Sequence, residues 1–167
     1  IYMNKVVDTM KNHRSIRNYT NEEISEEIIN ELVNVAQAAP NSINGQQTSL
    51  IVIKDKATKE KLAELTGGQT WVAAAPVFFV FIADFNKIKI ASEITGLPMK
   101  ITESVESIMV ASVDAGLSAQ NLMTAAESLG LGIVPIGGIR KNPDEVIKLL
   151  GLPKYTFPIL GVAAGYP

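Results

Sequence analysis

One stretch limits the architecture more than any other. Residues 102–130 keep helical periodicity throughout, with Glu103 and Glu106 near the start, where they favour the positive end of the helix dipole, and Gly130 as a carboxyl-terminal stop. At ~1.5 Å per residue such a helix reaches about 40 Å. Ala111, Ala115, Gly116, Ala119, Ala125 and Ala126 line it, so other helices can approach closely, and few of its positions are strongly polar. The expectation is a central helix, buried nearly all round by this domain or by a second copy. At 167 residues the chain is expected to form a single domain, 1–167, with a substantial core.

The elements around that helix follow from shorter patterns. Residues 25–38 carry Glu26 and Glu27 in a first turn, then Ile28, Ile29, Leu32, Val33, Val35 and Ala36 at helical spacing, stopped by Pro40. Residues 48–54 and 77–83 are short, nearly continuous apolar runs rich in β-branched and aromatic side chains, which predicts central strands covered on both faces. Between them, residues 57–66 form a short charged helix ending at Gly67 and Gly68. Residues 133–136 predict a short strand whose Pro135 points to an edge or a strand end. Asn142, Pro143, Asp144 and Glu145 read as N-cap, first position and acidic first turn of a further helix. Residues 157–164 give a final strand. Helices and strands interleave without a series of βαβ units, so the fold class is α+β, layered around one sheet.

Composition removes whole classes of chemistry. The chain has no Cys, which excludes disulfides, thiol nucleophiles and Cys-ligated clusters, and its one His, His13, excludes paired-His metal sites. With 15 Lys and Arg against 17 Asp and Glu, no whole-surface field favours nucleic acid or an anionic membrane. The most apolar run, residues 71–83, contains Pro76 and falls short of the ~20 residues that span a bilayer. Residues 1–11 carry Asn4, Lys5, Asp8 and Lys11 through their apolar positions and do not read as a signal peptide, so the expected location is the cytoplasm.

Three segments carry candidate chemistry. Lys11, His13, Arg14, Ser15 and Arg17 gather cations and a hydroxyl within seven residues, the set that grips phosphate. Read alone, the same residues equally make a solvated helix end. Residues 39–47, with Asn41, Ser42, Asn44, Gln46 and Gln47, offer donors and acceptors suited to the edge of a heterocycle, although any turn uses such residues. Gly130, Gly132, Gly137 and Gly138 fail the dinucleotide fingerprint, because Pro135 stands where a glycine is required and a helix precedes them. Gly137 and Gly138 nonetheless leave backbone N–H groups free of side-chain obstruction, so a flat molecule can lie against them. Gly67, Gly68 and Gln69 offer a similar element. Asp114 and Glu127 on the long helix read equally as satisfied buried acids or interface acids. No nucleophile or acid–base constellation stands out, which points to a cofactor carrying any reaction.

In this order and spacing, HRSIRNYTNEEIS, AAPNSINGQ, LTGGQTWV, SVDAGLSAQNLMTAAESLGLG, VPIGGIRKNPDEVIKLLGLP and FPILGVAAGYP resemble the nitroreductase family, in its NAD(P)H-dependent nitroreductase and flavin reductase branch. The resemblance runs from Asn12 to Pro167. It implies a homodimer of α+β subunits with a mainly antiparallel sheet, the long helix at the subunit interface, and FMN bound between subunits. It further implies His13, Arg14, Ser15 and Arg17 on the FMN phosphate and ribityl chain, and Gln69 on the isoalloxazine ring. Asn41, with Ser42 nearby, is implied to come from the neighbouring subunit, and Pro135, Ile136, Gly137 and Gly138 to lie along the ring. The implied activity is ping-pong: NAD(P)H delivers hydride to flavin N5 and leaves, then a nitroaromatic, quinone or free flavin accepts the electrons. In this branch a Lys-x-Arg pair and a longer tail follow the Gly-Tyr-Pro segment. This sequence stops at Pro167 and is expected to lack that extension; the alternative that follows is a dimeric flavin-binding module with little catalysis.

Overall fold

The computed structural model describes residues 4–167, so the first three residues of the amino-terminal segment read above lie outside the described residues. The chain runs α1 (Lys5–Lys11), α2 (Glu26–Gln37), β1 (Thr48–Ile53), α3 (Lys56–Leu65), α4 (Thr70–Ala74), β2 (Val77–Asp84), α5 (Asn86–Thr95), α6 (Glu106–Ser128), β3 (Gly132–Ile136), α7 (Pro143–Leu149) and β4 (Thr156–Gly165). The four strands form one sheet in the order β1-β2-β4-β3, and every pair is antiparallel.

β2 explains the layering. Its residues point alternately to opposite faces, so an unbroken apolar strand must be covered twice. Val77, Phe79 and Phe81 pack with Leu32, Ala36, Ala115, Ala119 and Leu122, from α2 and α6. Phe78, Val80 and Ile82 pack with Leu62, Val72 and Val146, from α3, α4 and α7. Phe78, Phe79 and Phe81 are fully buried, and truncating any of them to Ala would cost about 3–5 kcal/mol.

Several local expectations are corrected. β1 lies at one edge of the sheet rather than in its centre, because only β2 pairs with it; its composition resembles that of β2, but strand order is decided by distant partners. β3 is the other edge, where Pro135 costs no ladder bond to a further strand. The long helix starts at Glu106; Ile101–Glu103 form a separate 3₁₀ turn. α6 is buried along the stripe Ala111, Ala115, Ala119, Leu122 and Ala126, while Ile108, Met109, Val113 and Leu117 on another face are exposed. Asn142 stands at the N-cap of α7 as expected, but its side chain makes no capping bond; its amide donates instead to the Leu65 carbonyl at 2.7 Å. α4 and α5 were not predicted as helices. Lys59 is buried and donates to the Ala75 and Pro76 carbonyls, satisfying the end of α4, and burial pushes its ammonium below the usual lysine range against the opposing pull of Asp55.

Candidate functional site

The basic segment is laid against the open edge of β3. Ser15 forms a parallel bridge with Ile133, and the Ile16 N–H donates to the Ile133 carbonyl at 2.9 Å. Two glycines make room for it. Gly132 and Gly165 are register partners across β3 and β4. A β-carbon on Gly132 would sit 2.7 Å from Ile16, and one on Gly165 would sit 2.8 Å from the Tyr19 ring. The Tyr19 hydroxyl donates to the Ile16 carbonyl at 2.7 Å, closing the turn, and Thr20 N–H donates to the Tyr166 carbonyl at 2.8 Å. Burial raises the Tyr19 phenol well above its ordinary value of 10, with Arg17 opposing the shift.

Within this segment His13 meets a carboxylate, whereas Arg14 and Arg17 are held by carbonyls and an aromatic ring. His13 Nδ1 meets Glu127 Oε1 at 2.6 Å, which resolves Glu127 as a paired acid at the end of α6. Arg14 donates to the His13 and Asn12 carbonyls at 2.8 and 3.4 Å. The Arg17 guanidinium lies 5.5 Å from the centre of the Trp71 ring, within cation–π range. Among the described residues no carboxylate pairs with Arg14 or Arg17.

Trp71 links this cluster to the second predicted element. It sits in α4, whose N-cap is Gln69. Gln69 Nε2 donates to the Thr66 carbonyl at 2.8 Å, and a β-carbon on Gly138 would fall 2.5 Å from both that nitrogen and that carbonyl oxygen. The 137–138 glycine pair and the 67–69 turn are therefore in direct contact, as Pro135 and Ile136 lead out of β3. Pro135 is exposed and Ile136 buried. The Trp71 indole Nε1 is buried and has no hydrogen-bond partner among the described residues. Trp71 was not singled out from sequence; its only signal was being the sole Trp, two residues from Gln69.

Asn41 and Ser42 lie elsewhere. The Ser42 N–H donates to both carboxylate oxygens of Asp114, at 3.1 and 3.2 Å, and Asn41 Oδ1 accepts from Gln46 N at 3.0 Å. Asn41, with Asn44, Ser49, Lys87, Asp114 and Ser118, lines a cavity of about 710 Å³. Asp114 and Glu127 sit on the same helix thirteen positions apart, so the 41–42 loop and His13 are tied to points about 20 Å apart along its axis. Among the described residues no hydrogen bond or ion pair joins the loop to the other predicted site residues. Nor do three or more His, Cys, Asp or Glu converge on a possible metal position among the described residues, and no helix there is long and apolar enough to cross a membrane.

This combination defines a class: a three-layer α+β domain in which Arg17 lies over Trp71, two residues from the Gln69 that packs on Gly138, and in which no carboxylate pairs with Arg14 or Arg17 among the described residues. A sequence model of the Nitroreductase family matches residues 10–166, and the chain belongs to that family. It is 50% identical over 166 residues to an FMN reductase [NAD(P)H] of Bacillus subtilis (strain 168), covering 99% of this chain and 67% of the relative. An oxygen-insensitive NADPH nitroreductase of Salmonella typhimurium is 39% identical over 165 residues, with 99% and 67% covered. The structure of B. megaterium NfrA2 superposes with a TM-score of 0.97 at 51% identity, covering 99% of this chain and 67% of that one. The chain thus spans about two thirds of the length of these relatives. The α+β fold with its antiparallel sheet is the one expected from sequence.

Proposed function

We propose that this chain is an FMN-dependent NAD(P)H oxidoreductase that reduces nitroaromatics, quinones or free flavin, acting as a single FMN-binding domain that pairs into a cytoplasmic homodimer. The observation that carries the reading is the chain of contacts Arg17–Trp71 and Gln69–Gly138, with Trp71 and Gln69 two residues apart, which gathers a guanidinium without a carboxylate partner among the described residues and two glycine turns on one stretch of structure. The residues present fit a flavin mononucleotide. Arg14 and Arg17 lack carboxylate partners, and the buried Trp71 Nε1 is a donor still to be satisfied. The FMN reductase relative at 50% identity supports the same cofactor and donor, and the nitroreductase relative supports the acceptor class.

In this reading His13, Arg14, Ser15 and Arg17 hold the phosphate and ribityl chain through charge-assisted hydrogen bonds. Gln69, Pro135, Ile136, Gly137 and Gly138 hold the ring, with a backbone N–H of the glycine pair directed at its reacting edge. Asn41 and Ser42 serve the site of the other subunit, because their own chain ties them some 20 Å from His13. The exposed Ile108, Met109, Val113 and Leu117 of α6 form part of the subunit interface. FMN, when bound, supplies hydride acceptance from the nicotinamide and electron delivery to the acceptor. The protein contributes orientation, fixed positive charge and one open face that the two substrates use in turn.

Purified protein tests this directly. A yellow flavin spectrum that bleaches with anaerobic NADPH and returns on addition of a nitroaromatic or quinone is expected, with parallel double-reciprocal plots. Colourless protein that takes up no added FMN would overturn the reading, and flavin that NADPH cannot bleach would favour a flavin-binding module without catalysis.

A further inference from the structure

Asp114, Ser118 and Asn121 form one polar stripe on α6, and all three bond to the backbone of a single stretch of chain. Asn121 Nδ2 donates to the Val35 carbonyl at 3.2 Å and Ser118 Oγ to the Ala36 carbonyl at 2.8 Å. Asp114 accepts the Ser42 N–H with both oxygens. Backbone contacts of this kind fix the path of a segment rather than the identity of its side chains.

Asp114 stands apart from the other two. The residue is 4% exposed, and among the described residues Ser42 N–H is the hydrogen-bond donor to its carboxylate. Burying a charge is expensive unless it is hydrogen-bonded, so the pair is tightly held. Immediately beyond Ser42 the backbone turns left-handed at Ile43 (φ 48°), Asn44 (φ 55°) and Gln46 (φ 50°). Non-glycine residues keep such angles only where their surroundings over-determine them. Here Asp114 clamps the entry, while Asn41 Oδ1 accepts from Gln46 N and Lys87 Nζ donates to the Gln46 carbonyl at 3.1 Å, clamping the exit. Next to Asp114 and Ser118 in sequence, Val113 and Leu117 are exposed on the face assigned above to the second subunit. One stretch of α6 thus meets both the strained loop and the proposed interface.

We propose that Asp114 is a positioning residue for the FMN site of the partner subunit: it acts through Ser42, holding the 41–46 loop in the shape that completes the site across the interface. This rests on the functional reading above, in which Asn41 and Ser42 serve the second copy. Removing the carboxylate releases the loop and weakens FMN binding in trans, while the basic segment of the same chain keeps its shape.

The test uses subunit complementation in the FMN-loaded dimer. Asp114→Ala and Arg17→Ala homodimers are each expected to bind FMN about tenfold more weakly, the loss of one charge-assisted hydrogen bond. Asp114→Asn, whose Oδ1 still accepts from Ser42 N–H, restores most of the affinity. Co-expressed with two tags, the mixed Asp114→Ala/Arg17→Ala dimer has one site carrying both lesions and one carrying neither, so one FMN per dimer binds with wild-type affinity. Action within the same subunit gives no wild-type site in the mixed dimer, and that result overturns the proposal, as does an Asp114→Ala homodimer with unchanged FMN affinity. Asp114→Leu, similar in volume, takes its place if Asp114→Ala does not fold. Wild-type protein that binds no FMN, or binds it as a monomer, overturns the functional reading instead.

Discussion

The side chain of Gln69 occupies the space that a β-carbon on Gly138 would need, with its amide nitrogen 2.5 Å from that ideal position. The contact joins the turn after α3 to the segment after β3, elements separated by almost seventy residues, and it explains why two glycine-containing turns form one surface.

Gly138→Ala therefore disturbs both turns at once. The added methyl meets the Thr66 carbonyl oxygen, which is backbone and cannot swing away. A loss of about 1–3 kcal/mol is expected from overpacking, seen in urea denaturation, together with weaker FMN binding. Unchanged stability and affinity would show that the shelf is looser than the contact implies.

Arg17 and Trp71 give a spectroscopic reporter. Trp71 is the one Trp in the chain, and the guanidinium over its ring shapes its surroundings. Arg17→Ala is expected to shift the emission maximum without altering the far-ultraviolet circular dichroism, and to weaken FMN binding about tenfold. Arg17→Lys keeps the charge but not the planar fork, so it falls between the two.

Tyr19 predicts a specific loss of stability at high pH. Its folded-state phenol is held protonated well above the ordinary value of 10, chiefly by burial, so between pH 10 and that raised value the unfolded chain binds fewer protons than the native one. Stability from this group is complete below pH 10 and falls above it, by about 1.4 kcal/mol per pH unit. Comparing urea denaturation at pH 9 and 11 checks this, because Tyr19→Phe removes that part of the slope. Its expected cost at pH 7 is about 1 kcal/mol for the lost bond to the Ile16 carbonyl.

Ile43 is 91% exposed and left-handed, an unfavourable combination for a β-branched side chain. Ile43→Asn, which tolerates that region, is expected to stabilise the isolated chain by about 1 kcal/mol in urea denaturation. A destabilised variant would mean that the loop does not carry strain.

Much of the fold was legible because its strongest elements are local in origin. The doubly covered β2, the small-residue stripe of α6 and the acidic first turn of α2 all follow from spacing alone. α5 was missed because its Lys87-Ile88-Lys89-Ile90 alternates polar and apolar, as a strand does, and because its N-cap residue, Phe85, has no capping side chain; Gly96, at φ 70°, ends it. The placing of β1 at the edge was illegible, since strand order is set by partners tens of residues away. For the candidate site, the basic segment and the glycine shelf were visible as types, and the family resemblance gave them roles. Their meeting depends on the Gly132–Gly165 notch that admits Ile16 and Tyr19, a pairing that exists only once β3 and β4 are in register. Asp114 and Glu127 had equal readings in sequence; geometry separates them into a loop anchor and a partner for His13.

The central claim is that the basic segment of residues 13–17 grips the phosphate of a flavin whose ring rests on the Gly138 shelf. Titrating Trp71 fluorescence with FMN and, separately, with riboflavin measures that grip, because the two ligands share a ring and differ in the phosphate. Quenching by FMN at concentrations at least tenfold below those needed for riboflavin is the predicted result, the difference being the worth of a charge-assisted contact. Equal affinity for the two, or no quenching by either, would contradict it.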